Sequence, residues 1–223
     1  MRKKYFTPEL FLFLQLIKRN NRREWFEKNR SRHEEAVKQP CLRFIVDLGL
    51  QMPKVSTWIV VSPKPNGGSL MRIYRDIRFS KNKQPYKTNV GMSFWHAGSN
   101  EDIHGPGFYL HLEPGQSFLA GGAWHPESRS LAKIRDAIAW KAPEWKKVTR
   151  GLELGGDKLT RPPRGYQPDH PMIEEIKRKD FIASISFNDR QVCSEQFLGD
   201  VVGAARKLAP MIGFLARAEG LRF

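Results

Sequence analysis

The stretch from Val90 to Ala123 constrains this chain's fold more than any other. Val90–Trp95 and 107–113 each carry the two-residue period of a strand, and Ser117–Ala123 reads as the strand that follows them. In the first, Val90, Met92 and Phe94 alternate with Gly91, Ser93 and Trp95. In the second, Phe108, Leu110 and Leu112 oppose Tyr109, His111 and Glu113. A polar loop, 97–106, joins the first two runs, and Pro114-Gly115 favours a tight turn between the last two. Connections this direct imply antiparallel pairing, since a parallel crossover needs many more residues.

Helices are expected on both sides of this meander. Thr7, Pro8 and Glu9 form a helix start: a hydroxyl at the N-cap, proline at the first position, an acid near the positive end of the dipole. Leu10, Phe13, Leu14 and Ile17 supply its stripe. Asn21, with Glu24 three residues on, matches a capping box for a second helix reaching Lys38 and anchored by Trp25 and Phe26. Pro40 then restarts a third, with Leu42, Ile45, Val46 and Leu50 on its apolar face. Two short strands follow, 58–61 and 70–74, separated by Pro63, Pro65, Gly67 and Gly68. Beyond the meander, Leu131, Ile134 and Ile138 mark a helix with Trp140 and Trp145 packed near its end. A short helix over 172–177 and a strand over Phe181–Phe187 come next. Ser194 caps a final helix, which Pro210 kinks or divides. Gly121-Gly122, at the close of a strand, would permit close backbone approach, although a β-bulge is the commoner reason for such a pair. The expected fold is one α+β domain over residues 1–223: a largely antiparallel central sheet (about 57–124) with helices from about 7–51 and 127–223 packed around it.

Charge is unevenly spread along the chain. The net charge is +15, and Lys plus Arg exceed Asp plus Glu by 6 over residues 1–50 and by 7 over 51–100. The excess is 1 in each of 101–150 and 151–223. A basic face follows, suited to phosphates, nucleic acid or acidic partners. Hydrophobic residues make up 40%, including 14 Phe and 6 Trp, which is ample for a packed core. The two cysteines, Cys41 and Cys193, fit no metal or redox spacing, and a reducing, cytoplasmic setting is the expectation. The apolar run after Met1 is broken up by Pro8, Glu9 and Gln15, with no small-residue cleavage site behind it, and reads as a helix rather than a leader. No segment approaches the roughly 20 continuous apolar residues of a membrane span. Nothing calls for a cofactor or specifies an oligomer.

The charge peaks in LMRIYRDIRFSKNKQPYKTNVGMSFWH, residues 70–96. Arg72, Arg75, Arg78, Lys81, Lys83 and Lys87 face one acid, Asp76. Arginine makes forked contacts to phosphate or carboxylate, whereas lysine is a mobile point charge. Ser80, Tyr86, Thr88 and Asn89 add neutral hydrogen-bonding groups, and Phe79, Pro85 and Tyr86 are candidate anchors. The plain alternative is a solvated connection in which Phe79 and Tyr86 only pin the loop to the core. The segment lacks the GxxxxGK[ST] pattern of a P-loop. A second candidate is the Gly- and Pro-rich loop 155–171, where Lys158, Arg161 and Arg164 extend the basic character. Its Asp169-His170-Pro171 offers an acid/base pair, against the alternative that His170 merely starts the helix after it. His96, His104, His111 and His125 show no metal-ligand spacing, and no serine sits in GxSxG.

Several segments together resemble an uncharacterised family, best represented in bacteria, known as domain of unknown function 2461. They are NNRREWFEKNRSRHEEA, YRDIRFSKNKQPYKTN, FYLHLEPGQSFLAGGAWHPES followed by LAKIRDAI, and GDKLTRPPRGYQPDHP. They occur in the family's order and cover most of 6–171. The resemblance implies that YRDIRFSKNKQPYKTN is a signature segment, and it brings no reaction with it. Asn82 stands between two lysines where the family pattern carries an acid.

The expected function is binding of a phosphate-bearing or other anionic ligand through Arg75, Asp76, Arg78, Ser80, Lys81, Lys83, Tyr86 and Lys87, with Lys158, Arg161 and Arg164 from the second loop. One alternative is an enzyme acting on such a ligand, with His170, Asp169 or Tyr86 moving protons; it needs both loops in one cleft. The other is a nucleic-acid-binding module, for which no helix-turn-helix, zinc-finger or RNA-recognition signature is present.

Overall fold

A computed structural model describes residues 3–99 and 104–223; Met1, Arg2 and the middle of the polar loop expected over 97–106 lie outside them. Five antiparallel strands form one sheet: β1 (Val90–Trp95), β2 (Gly107–Leu112), β3 (Ser117–Ala123), β4 (Leu154–Gly155) and β5 (Phe181–Phe187), in the order β1-β2-β3-β5-β4. The register sets Met92 opposite Leu110 and Leu110 opposite Leu119, so the alternating apolar residues share one face. That face is the core side, with Met92, Phe94, Phe108, Leu110 and Leu119 all buried. The α+β architecture and the β1–β3 meander match the periodicity.

The helices are α1 (Pro8–Arg19), α2 (Arg23–Lys28), α3 (Arg30–His33), α4 (Gln39–Gln51), α5 (Ser128–Trp140), α6 (Ala142–Val148), α7 (Ile173–Ile176), α8 (Asp189–Val192) and α9 (Phe197–Ala218). The last lies along β3 and is buried through most of its length. Gly121 permits this closeness: a Cβ there would lie 2.9 Å from Ile212 Cδ1 and 3.2 Å from Leu208 Cβ. The glycine pair thus serves close packing rather than a bulge, because β3 keeps its register with β5 through Gly121 and Gly122. Among the described residues no helix is long and apolar enough to cross a membrane.

Several local expectations change. Thr7 is the N-cap of α1 through its backbone, and its hydroxyl makes no capping bond. The second helix does not run to Lys38: it breaks at Asn29, whose side-chain amide bonds the Trp25 carbonyl. Pro40 does not restart the chain either. A π turn, Glu34–Lys38, carries α3 into α4, with the Gln39 N–H on the Glu34 carbonyl five residues back. A proline ring collides with the carbonyl four residues before it, and the wider turn relieves that contact. The buried face of α4 is Cys41, Phe44, Ile45 and Leu48, while Val46 and Leu50 are exposed, because a free cysteine packs as a small hydrophobe. Trp145 is buried against Phe181 and Phe214, but Trp140 projects into solvent. Ser194 accepts the Gln196 N–H just ahead of α9, whose N-cap is Gln196. Pro210 falls within the undivided α9 and faces outward.

The two strands expected before the meander shrink to single bridges, Ile59 with His96 and Leu70 with Met92. Both belong to the free edge of β1. Val60 N–H bonds the Trp95 carbonyl at one end, and Met71 N–H bonds the Gly91 carbonyl near the other. One six-residue strand divided between two segments leaves each a short ladder, and together they cover an edge that would otherwise be open.

Candidate functional site

The basic stretch folds as a hairpin leaving the covered edge of β1. Tyr74 pairs with Tyr86, flanked by Arg75 N–H to the Pro85 carbonyl and Lys87 N–H to the Ile73 carbonyl. Tyr86 anchors it: the side chain is buried and stacks on Phe26 of α2 with ring centroids 4.3 Å apart. Burial pushes the phenol's pKa up, so Tyr86 stays protonated at neutral pH. Asn21 completes the attachment. Its side-chain NH₂ donates to the Tyr86 carbonyl at 2.9 Å, and its oxygen accepts the Tyr86 N–H at 3.0 Å. Asn21 therefore acts as a strand partner for the hairpin instead of capping α2, and Arg22 takes the N-cap position.

At the tip, 75–85, the side chains are mostly exposed. Asp76 accepts both the Arg78 backbone N–H and its guanidinium fork, which holds the Asp76 carboxyl down at about 2. Arg78 is thereby committed to shaping the turn. Lys83 Nζ bonds the Ile77 carbonyl at 3.1 Å, and Asn82 Oδ1 accepts the Gln84 N–H at 2.9 Å. An aspartate at position 82 would make that same turn bond, so Asn82 keeps the geometry and removes a negative charge. Arg75, Ser80 and Lys81 lie on the same projection. Phe79 is no anchor: it is 96% exposed, with the Arg78 guanidinium 5.9 Å from its ring centroid. A short tip crowded with cations has no apolar surface of its own on which to bury a ring.

At the base, the geometry turns concave. A cavity of about 770 Å³ opens between the hairpin, the 65–68 turn and the α2–π-turn segment. Arg30, His33, Lys38, Arg72 and Lys87 contribute to its wall. Arg30 is paired with Glu27 and Lys38 with Glu34. Arg72 and Lys87 form no ion pair and no side-chain hydrogen bond among the described residues. Lys87 is half-buried, and desolvation together with the nearby Arg72 charge lowers its pKa. His33, between Phe13 and Phe26, is driven down to about 4 by burial and is neutral at physiological pH. Cations at this cavity outnumber the acids paired with them by four to two.

The second loop lies elsewhere. Lys158 pairs with Glu174 at 3.6 Å and bridges to Arg178, while Arg161, Arg164 and Asp169 are exposed. Arg164 and His170 line a different cavity, against α5. His170 accepts the Met172 N–H at Nδ1 and its carbonyl accepts the Ile173 N–H, the plainer of its two expected roles, at the start of α7.

Four of the groups at the base were invisible as site residues in the sequence. Arg30, His33 and Lys38 sit in a charged helical stretch that reads as a solvated face, and Asn21 reads as a cap. Only the hairpin register brings Arg72 beside Lys87. Two other histidines are bonded within the fold. His96 is buried, with Nε2 on the Arg222 carbonyl. His111 lies on the sheet face away from α9, between Glu113 at 3.1 Å and the Asn89 amide and Tyr109 hydroxyl, each at 3.3 Å. No group of three or more potential metal ligands occurs among the described residues.

No curated protein and no solved structure shows significant similarity to this chain. The match to a family model is extensive: residues 9–214 of the 223 align with the one described as a conserved hypothetical protein, DUF2461. The chain belongs to that family, and the hairpin with its attachment residue Asn21 lies wholly within the matched region.

Proposed function

We propose that the protein binds a phosphate-bearing or otherwise anionic ligand at the base of the hairpin, with Arg72 and Lys87 as the gripping cations. The observation that carries this reading is the pair itself: two adjacent cations, one half-buried, with no ion-pair partner among the described residues. Bringing like charges together while stripping water from one is unfavourable, and an anion between them reverses the sign of the interaction. Arg75, Lys81 and Lys83 at the tip extend the same positive field outward. Arg78 and Asp76 hold the turn, Tyr86 fixes it to the helices, and Ser80 adds a neutral donor at the tip.

A ligand at about 100 times its Kd stabilises the folded state by about 2.7 kcal/mol. For a chain of this size that is a melting shift of about 5–10 °C. A thermal-shift panel of inorganic phosphate, polyphosphate, nucleotides and a single-stranded oligonucleotide is expected to contain at least one such stabiliser. Lys87→Ala and Arg72→Ala are expected to abolish the shift, with Arg78→Ala reducing it less. A shift that survives both base variants would sink the assignment. The oligonucleotide is included because Phe79, bare between tip cations, offers a face on which a base can stack. If that arm prevails, Phe79→Ala weakens it and the affinity falls steeply with salt.

A further inference from the structure

The cavity beside α5 holds a different set of groups. Its volume is about 530 Å³, within the range of small-molecule sites. Arg135, Asp136 and Trp140 of α5 face Arg164, Tyr166 and His170 of the long loop. The unusual member is Arg135. One Nη donates to the Arg178 carbonyl at 2.9 Å, but Nε is buried and has no hydrogen-bond partner among the described residues. Its guanidinium also pairs with no carboxylate there. The adjacent acid is otherwise engaged, since Asp136 Oδ1 accepts the Tyr166 hydroxyl at 2.6 Å. Desolvation lowers the Arg135 pKa, yet a guanidinium keeps its charge at any pH a protein meets. Nε is enclosed by the protein, but the second Nη, which forms no hydrogen bond among the described residues and is not enclosed, is the donor that a ligand in the cavity can take.

Two further donors line the same space. Arg164 is exposed and forms no ion pair among the described residues. His170 accepts the Met172 N–H at Nδ1, which puts the proton of its neutral ring on Nε2. At the cavity's rim Trp140 is 87% exposed, a wide aromatic face with little of it covered by the protein. Asp136 retains one oxygen beyond its bond to Tyr166.

We infer that this cleft binds a nucleoside monophosphate, its phosphate on Arg135, Arg164 and His170 and its base stacked on Trp140. The free Asp136 oxygen is then an acceptor for a sugar hydroxyl. Two guanidiniums against one carboxylate suit a single phosphate better than a triphosphate, whose extra charge would meet Asp136. The cleft shares no residue with the Arg72–Lys87 cavity, so the two assignments stand or fall separately.

Isothermal titration of the full chain with adenosine 5′-monophosphate, ribose 5-phosphate and inorganic phosphate tests it. The nucleotide is expected to bind more tightly than ribose 5-phosphate. Trp140→Ala should weaken the nucleotide at least about fivefold, the lower end of what one stacked base supplies, and leave ribose 5-phosphate unchanged. Arg164→Ala should weaken both, and Lys87→Ala neither. Trp140 and Arg164 are exposed, so these variants keep the test valid even if Arg135→Ala does not fold. Absence of nucleotide binding, equal affinity for nucleotide and inorganic phosphate, indifference to Trp140→Ala and Arg164→Ala, or loss of binding in Lys87→Ala would each overturn the assignment.

Discussion

Replacing Gly122 with alanine is expected to abolish the folded state. Gly122 sits in β3 at φ +135°, a backbone conformation that L residues rarely adopt. A Cβ there would lie 1.9 Å from the Phe181 carbonyl oxygen and 2.9 Å from its carbon. Those are backbone atoms of the neighbouring strand, so no side-chain rotation relieves the contact. Relief requires β3 and β5 to part, next to Gly122's own pairing with Ile182 and in the middle of the sheet. We expect Gly122→Ala to cost more than about 4 kcal/mol and to leave little soluble protein. Gly121→Ala, one residue away, meets the tip of Ile212, which can rotate, and Leu208 Cβ at 3.2 Å, which needs α9 to give by only a few tenths of an ångström, and should cost about 1–3 kcal/mol. Denaturant unfolding of soluble material reads both. A Gly122→Ala protein with the parent's midpoint would contradict the strand geometry.

Asp180→Ala is expected to be nearly as damaging, through hydrogen bonding rather than collision. Asp180 is a buried carboxylate just ahead of β5. Oδ1 accepts the His125 N–H at 2.7 Å and lies 3.1 Å from the His125 ring nitrogen, while Oδ2 accepts the Asp157 N–H at 2.9 Å. It thus ties the corner after β3, where His125 has φ 49°, to the turn opening the long loop. Alanine leaves two backbone donors unpaired. At about 1–3 kcal/mol for each unsatisfied group the expected loss is about 2–6 kcal/mol. Asparagine keeps one acceptor but turns an NH₂ toward the second donor, so Asp180→Asn should recover only part. Urea midpoints measure the loss, and hydrogen exchange at the Asp157 amide locates it. Full rescue by asparagine would mean that one of the two bonds contributes nothing.

Legibility from the sequence varied with the range of the interactions involved. The period-two runs predicted β1 and β5 residue for residue, and the Pro114-Gly115 turn did the same for β3, because strand faces and tight turns are written locally. The hairpin's charge was equally plain. Its attachment was not: Asn21 beside Glu24 carries the pattern of a helix cap, and only a partner 65 residues away reveals its use. Phe79 and Tyr86 looked alike as anchors, yet one is fully buried and the other bare, a difference set by the nearness of Phe26. Trp140 and Trp145 diverged in the same way. The second loop carried a visible cluster of cations, but its burial partner Arg135 lies in an ordinary amphipathic helix, where a lone arginine is unremarked until its neighbours are known.

By itself, then, the sequence determined the α+β class, the antiparallel meander, the basic segment and the family, since each is encoded in local periodicity, local charge or contiguous motifs. Tertiary structure decided which cations share a cavity. Of the two segments read as parts of one site, Arg72 and Lys87 line a cavity against the α2–π-turn segment, and Arg164 and His170 line a separate one against α5. The reason is that a charge cluster states only its own sign. Where it faces depends on the long-range contacts that seat it, the stacking of Tyr86 on Phe26 in one case and the hydrogen bond from the long loop's Tyr166 to Asp136 of α5 in the other.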